Sequence, residues 1–310
     1  MLAGSKVLIT GLTGRIGRAV ATRFAPVCDM YGLARYTREG SMEETRELGV
    51  TSIRGNYANG ELDEVPQDFD YVLHIAADVF PPSATEGMLV NSDGVARLMS
   101  HCRNAKAFLH VSSTGVYAQH PDPWHIYSED ADLGGSYGGQ YIPTKIAGEG
   151  AARACAMAFD LPTVICRQNV QYGGPHPNGG LIDRFIDELV NTGNVLAPES
   201  GVNVCGPIHE DDICDVIEPS LSIASVPAEI VNWCGDEAVE WHEMFEYAGE
   251  LIGRKPNFVR SEAFTFPNCV PDPARRREIA GPAKVDWKTG VRRSLECRHP
   301  NIALKPVAAS

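Results

Sequence analysis

What the sequence lacks narrows it first. No apolar run approaches the ~18 residues of a membrane span, so no membrane-spanning helix is expected. Positive charge is in deficit: 27 Lys and Arg stand against 40 Asp and Glu, a net −13. General nucleic-acid binders are usually basic, so that class is set aside and the acidity is read as serving solubility. The nine cysteines are odd in number, and none form a Cys-x-x-Cys pair. Several lie in apolar stretches, as Cys166 does in TVICR, and read as buried thiols. No structural zinc or other metal site is expected, and the setting is read as reducing and cytoplasmic. No repeat or low-complexity segment stands out. MLAGSK runs straight into an apolar segment, so no signal peptide is expected ahead of the fold. What remains is ordinary globular composition, 44% hydrophobic and 22% charged over 310 residues. That suits one large α/β domain or two closely joined ones.

The most informative stretch is Lys6–Gly17, KVLITGLTGRIG. Val7-Leu8-Ile9 reads as a buried strand. A glycine turn follows, then a helix with Ile16, Val20 and Phe24 on one face. Strand, glycine turn and helix form the context in which such a motif means dinucleotide binding. Gly11 permits the tight turn, Gly14 the approach of a pyrophosphate, and Gly17 close helix–strand packing. Thr13, Arg15 and Ile16 complete the turn, whose helix N-terminus offers free N–H groups to phosphate.

Asp29–Ala34 reads as the second strand. An NAD-selective site carries a carboxylate at its end for the ribose hydroxyls. Here Ala34 and Arg35 occupy the two candidate positions, with Arg38 beyond. The missing acid and the guanidinium, suited to a 2′-phosphate, favour NADP(H), with NAD(H) as the alternative. Further strands are expected at Val50–Arg54, Asp70–Ile75, Ala107–Val111, Leu161–Arg167 and Glu229–Cys234. Residues 41–49 form a charged helix, and Asn91 opens another, NSDGVARLMSHC. Strands alternating with helices imply a doubly wound parallel sheet of about seven strands. Residues 118–136 make a long loop in which Trp124, His125 and Tyr127 could line a substrate site. The dinucleotide-binding domain is assigned to 1–172 plus 207–235. A smaller substrate-binding lobe, 173–206 plus 236–310, is expected to close over the sheet edge, with substrate in the cleft.

Tyr141 and Lys145, four apart, share a helix face, and Ser113 ends the fifth strand. A lysine ammonium nearby favours the phenolate and would bring Tyr141 toward the operating pH, where acid–base catalysis is most effective. Ser113 would orient the substrate oxygen. Tyr-x-x-x-Lys alone occurs at the start of many amphipathic helices, and its force here comes from its place after the fifth strand.

With TGLTGRIG (10–17), HIAA (74–77), Asn91, VSSTGVY (111–117), YIPTK (141–145), GGPHPNGGLIDRF (173–185) and IHEDDI (208–213), the chain resembles the extended short-chain dehydrogenase/reductases, the NAD-dependent epimerase/dehydratase group. The resemblance implies a catalytic Ser113–Tyr141–Lys145 triad, with Lys145 also holding the nicotinamide ribose. It implies a structural asparagine at Asn91 and adenine contact at Asn56, with Tyr57, Ala76 and Ala77 also facing the cofactor. Homodimerisation through the Asn91 and Tyr141 helices is likewise implied.

The sequence also departs from the family. Pro143 requires the helix to begin close to Tyr141. Nucleotide-sugar members carry an Asn where Val170 stands, unless a one-residue gap restores Asn169. They also carry a phosphate-binding Arg where Cys205 stands. Thr114-Gly115 replaces the carboxylate of dehydratases. The leading expectation is therefore an NADP(H)-dependent oxidoreductase of a small carbonyl or secondary alcohol. The alternative is a sugar or nucleotide-sugar epimerase or dehydratase. His209–Asp212 is read as a helix start that docks the returning chain, and Arg275-Arg276-Arg277 as a solvated helix face.

Overall fold

The computed structural model describes residues 1–135, 139–177, 179–261 and 268–306. Ser136 of the 118–136 loop, and Asn178 and residues 262–267 of the expected substrate-binding lobe, lie outside these. The chain divides into two compact units. Unit 1 comprises Met1–Ala118, Asp132–Gln168 and Ile213–Val231, and unit 2 comprises Gln119–Ala131, Asn169–Asp212 and Asn232–Ser310.

A seven-stranded sheet is built from β1 (Lys6–Thr10), β2 (Asp29–Ala34), β3 (Thr51–Arg54), β4 (Tyr71–His74), β5 (Ala107–Ser113), β6 (Thr163–Gln168) and β7 (Glu229–Trp233). Its order is β7-β6-β5-β4-β1-β2-β3, and every pairing from β6 to β3 is parallel. This is the Rossmann-like α/β sheet expected. The strands are near-continuous apolar runs because helices cover both faces of such a sheet. Leu8, Val72, Phe108 and Ile165 are buried in one core with Val95, Leu98 and Ala152. Full burial of each large aliphatic side chain contributes about 1.5–3 kcal/mol.

The crossover helices of unit 1 are α1 (Arg15–Phe24), α2 (Ser41–Glu47), α3 (Ala84–Met88), α4 (Gly94–His101) and α5 (Tyr141–Phe159). α1 buries Gly17, Val20, Ala21 and Phe24. α5 begins at Tyr141, so Pro143 falls in its first turn, where a missing N–H costs nothing. Asn91 does not open a helix: it lies inside a π-helical turn, Leu89–Asp93, that joins α3 to α4. α3 itself was not expected. Its signal is the Ser-x-x-Glu spacing of Ser83 and Glu86: Ser83 Oγ caps the helix by accepting the Glu86 N–H and donates to its carboxylate.

α6 (Leu181–Thr192), α7 (Glu210–Ser222), α8 (Trp241–Ile252), α9 (Ala274–Ala280) and α10 (Trp287–Arg298) follow. Unit 2 has its own core, in which Tyr172, Ile186, Trp241, Phe245, Leu251, Trp287 and Leu295 are buried together. Four short two-stranded ladders accompany it, among them Ile126–Tyr127 with Val270–Pro271. Asp212 docks the returning chain by accepting the backbone N–H groups of Lys284 and Val285. Arg276 corrects the reading of a solvated arginine face. It is buried, paired with Asp236, and donates to Gly281 O at 2.7 Å. A guanidinium in that position joins two segments of chain. Among the described residues no helix is long and apolar enough to cross a membrane.

Candidate active site

The glycine turn is set by backbone contact. A Cβ on Gly11, at φ +76°, would meet Ala76 N at 2.7 Å, and one on Gly17 would meet Gly11 O at 2.3 Å. Gly14 N–H donates to Gly11 O at 2.9 Å and Gly14 then caps α1. The cap makes no side-chain hydrogen bond, and the first turn of α1 carries no acidic residue. Unfilled N–H groups at a helix start suit a pyrophosphate, so the residues present fit a dinucleotide. Thr13 is exposed, and Arg15 and Ile16 are half-buried at the same end.

Around this turn, Ala76 N–H donates to Thr10 Oγ1 at 3.2 Å, and Ala77 is half-buried beside it. Arg35 is exposed beyond β2. Its backbone carbonyl accepts from Arg54 at 2.9 Å, while Arg38 pairs with Glu44. Asn56 uses its side-chain oxygen on Ala58 N–H at 3.2 Å. Tyr57 turns its ring into the core, edge-on to His74 at 5.0 Å, where burial raises its pKa.

Asn91 spends its side chain on protein partners. Its oxygen accepts Asp78 N–H at 2.8 Å, and its amide donates to Asp78 O and to Thr144 Oγ1. It thereby ties the segment after β4 to the first turn of α5. A Cβ on Gly148 would lie 2.1 Å from Asn91 O, so the small residues of α5 let it close on the π turn.

Ser113 ends β5, and its hydroxyl oxygen stands against the Tyr141 phenol, whose pKa it lowers. The same oxygen accepts Gly115 N–H at 3.1 Å. Lys145, 1% exposed, donates to Val111 O at 2.7 Å and lies 3.5 Å from His110 Nε2. Desolvation lowers its pKa to about 8, opposed by the Glu149 charge. Tyr141 is pushed up to about 12 by burial, with Ser113 opposing. This corrects the expectation of a phenol near neutrality. In this structure the two acceptors named for Lys145 are Val111 O and His110, and desolvation decides the tyrosine.

Sequence reading missed what lies behind the triad. Glu149, one turn beyond Lys145, is 3% exposed and pairs with equally buried Arg167 at 2.8 Å. Ser112 donates to the same carboxylate at 2.6 Å, and the Arg167 guanidinium lies 4.9 Å from the Tyr117 ring centroid. The Lys-x-x-x-Glu spacing was legible as one helix face, but not its partner on β6. Among the described residues, no group of three or more His, Cys, Asp or Glu is arranged to hold a metal ion.

The profile of the NAD dependent epimerase/dehydratase family matches residues 7–228. The chain is 23% identical over 194 residues to the dTDP-D-glucose 4,6-dehydratase of Dictyostelium discoideum, covering 56% of this chain and 44% of that protein. It is 24% identical over 133 residues to the UDP-glucose 4-epimerase of Rickettsia bellii, covering 38% and 39%. The chain thus spans less than half the length of either relative. The structure of UDP-glucuronic acid 4-epimerase from Bacillus cereus with UDP-glucuronic acid and NAD is similar at a TM-score of 0.80. It is 20% identical, covering 94% of this chain and 98% of that one. MoeE5 with UDP-glucuronic acid and NAD gives 0.80 at 21% identity, over 96% and 100%. At these identities the structural likeness establishes the fold.

Proposed function

Because the chain belongs to the NAD dependent epimerase/dehydratase family, we propose that it is a nicotinamide-dependent enzyme that inverts a secondary alcohol on a nucleotide-sugar. The carrying observation is Ser113 at the end of β5 set against the Tyr141 phenol, with Lys145 one turn along the same helix. The nucleotide-sugar relatives support this reading over the small-carbonyl oxidoreductase that sequence alone put first.

The dinucleotide would be held by Gly11, Thr13, Gly14, Arg15, Ile16 and Gly17 at its pyrophosphate. Arg35 would lie at the adenosine ribose, Asn56 and Tyr57 near adenine, and Ala76, Ala77, Tyr141 and Lys145 toward the nicotinamide end. Bound there, it would supply the hydride acceptor and donor for the reacting carbon. Arg35, with no carboxylate beside it, favours NADP(H) over NAD(H). Ser113 orients the reacting hydroxyl, and Tyr141 takes its proton and later gives one back to the carbonyl oxygen. Raised to about 12, the phenol holds its proton at neutral pH and has one to give. To act as base it needs the Lys145 charge, which favours the phenolate. Asn91 holds the segment after β4 against Thr144 and so sets where Tyr141 stands. Thr114, buried beside Ser113, offers no carboxylate, which disfavours elimination of water. Pairing of two copies through α4 and α5 belongs to the same reading.

One observation favours a second reading, a reductase of a small carbonyl. Asn169 spends its amide on Cys269 O and Gly206 N–H, and Cys205 is a buried thiol. Neither brings charge to a diphosphate.

The test is to incubate the protein with each nicotinamide cofactor and a panel of UDP- and dTDP-hexoses and hexuronic acids. The epimer is followed by proton NMR, and reduced nicotinamide by its absorbance. Epimer without net cofactor change, lost in Tyr141→Phe while dinucleotide binding persists, supports the proposal. Stoichiometric NADPH consumption with a ketone panel, and no epimer, would replace it by the second reading.

A further inference from the structure

The centre of the sheet carries a polar row that the reaction above leaves unused. Thr10, His74 and His110 stand side by side on β1, β4 and β5: Thr10 is opposite His74, and His74 opposite His110. All three are fully shielded from solvent, as are Ile9, Leu73 and Leu109 beside them. Unpaired buried polar groups cost stability, so two imidazoles in an apolar sheet require a cause.

The row is connected from end to end. Thr10 Oγ1 lies 2.8 Å from His74 Nδ1. The two imidazoles stack, with centroids 5.3 Å apart and planes 21° from parallel. His110 Nε2 then meets Lys145 Nζ at 3.5 Å. An ammonium has three donors and no acceptor, so His110 facing it accepts and carries its own proton on Nδ1. Among the described residues that Nδ1, like His74 Nε2, has no hydrogen-bond partner. Val111 O takes a second ammonium hydrogen. Two of the three directions are therefore fixed from beneath the helix, leaving one.

We propose that His110, seated by His74 and Thr10, is a positioning residue that aims the remaining Lys145 N–H at the Tyr141 side of the site. The inference rests on the Tyr141–Lys145 chemistry proposed above. Burial and the neighbouring lysine hold His110 well below the usual imidazole range, and burial brings His74 down to about 3. The acceptor form therefore persists at working pH. Tyr141 and Glu149 share the helix face of Lys145 by spacing, Ser113 stands two residues past Val111 on β5, and Arg167 on β6 pairs with Glu149. Of these, Glu149 is the one whose charge favours the ammonium.

The test uses His110→Phe, which keeps a ring and removes the acceptor, and His110→Gln, which restores an acceptor of similar reach. The kcat, KM and pH–rate profile are measured on the substrate that turns over. The near-ultraviolet phenolate absorbance is titrated against Tyr141→Phe as blank. His110→Phe is expected to lower kcat about tenfold or more with KM within about twofold. It should also move the Tyr141 phenolate and the rising limb of the oxidation profile to higher pH, with His110→Gln recovering most of both. If His110→Phe superposes on wild type, or His110→Gln recovers nothing, His110 only fills space and the inference fails. If His110→Phe does not fold, Thr10→Val, which unseats His74, carries the test: a smaller shift in the same direction supports the role, and no shift overturns it. Full turnover by Tyr141→Phe would overturn the reaction proposed above, while the phenolate titration would still decide the positioning of Lys145.

Discussion

Glu149 holds Arg167 in an ion pair 2.8 Å long from which water is excluded, each side chain 3% exposed. The guanidinium binds through both Nε and Nη2, and Ser112 occupies the same carboxylate. Removing one member of such a pair leaves the other charge buried and uncompensated. Glu149→Gln is therefore expected to cost about 3–5 kcal/mol, read as a lowered urea midpoint. The double variant Glu149→Gln/Arg167→Met should recover a large part of that loss.

Lys145 makes the opposite prediction for stability. Its pKa falls from an ordinary 10.5 to about 8 on burial, so at pH 7 the folded chain holds a charge that the unfolded chain solvates better. That depression corresponds to roughly 3 kcal/mol of penalty. Between pH 8 and 10.5 the unfolded state binds more protons than the folded one, so wild-type stability rises with pH there. Lys145→Met should thus melt higher than wild type at pH 7, by about 1–3 kcal/mol once the orphaned Val111 carbonyl is allowed for. That advantage should shrink above pH 8. Equal melting temperatures across pH 6–10 would show that the lysine bears no such penalty. Loss of turnover alongside higher stability is the expected trade at a catalytic position.

Gly148 faces Asn91 at a distance that excludes a methyl group, 2.1 Å from a built Cβ to the carbonyl oxygen. Gly148→Ala must push α5 off the π turn and shift Tyr141 with it. We expect a loss of about 1–3 kcal/mol and a fall in kcat larger than that in dinucleotide affinity. Gly150→Ala on the same helix, where a Cβ meets nothing within 4 Å, should be neutral or stabilising.

Cofactor preference gives the last prediction. Arg35→Asp places a carboxylate where an NAD site would have one. NADPH affinity should fall at least about tenfold, with NADH affinity unchanged or improved, read by fluorescence titration. A parallel loss for both dinucleotides would show that Arg35 does not meet the 2′-phosphate.

The sheet was legible because each strand carries its own signal. Val7-Leu8-Ile9 and Ala107–Val111 are apolar runs with turn residues at their ends, and Asp29–Ala34 agrees residue for residue with β2. The two-domain substrate reading had no comparable local signal. Tyr141 and Lys145 could be put on one helix face by spacing alone. The direction of the Tyr141 pKa could not, because it is set by desolvation in the surrounding fold, with Ser113 opposing. His74 and His110 were equally opaque: 36 residues apart in sequence, they become neighbours only through the parallel register of β4 and β5. Arg276 sits between two arginines in a run that looks solvated, and its burial is decided by Asp236, forty residues upstream.

The π turn at Leu89–Asp93 bears on how such a site can arise and be lost. An α-helical residue advances the chain by about 100° around the axis, and a π turn accommodates one extra residue. Deleting a single residue from that turn would restore a continuous α-helix whose two halves keep their faces, so Val95 and Leu98 would stay in the core. The bulge itself would go, and with it the backbone that carries Asn91 to Asp78 and Thr144. The anchoring of α5 therefore depends on an extra residue in the chain as well as on the Asn91 side chain. Point substitution around Asn91 can weaken it by degrees, whereas losing one codon would remove it at once.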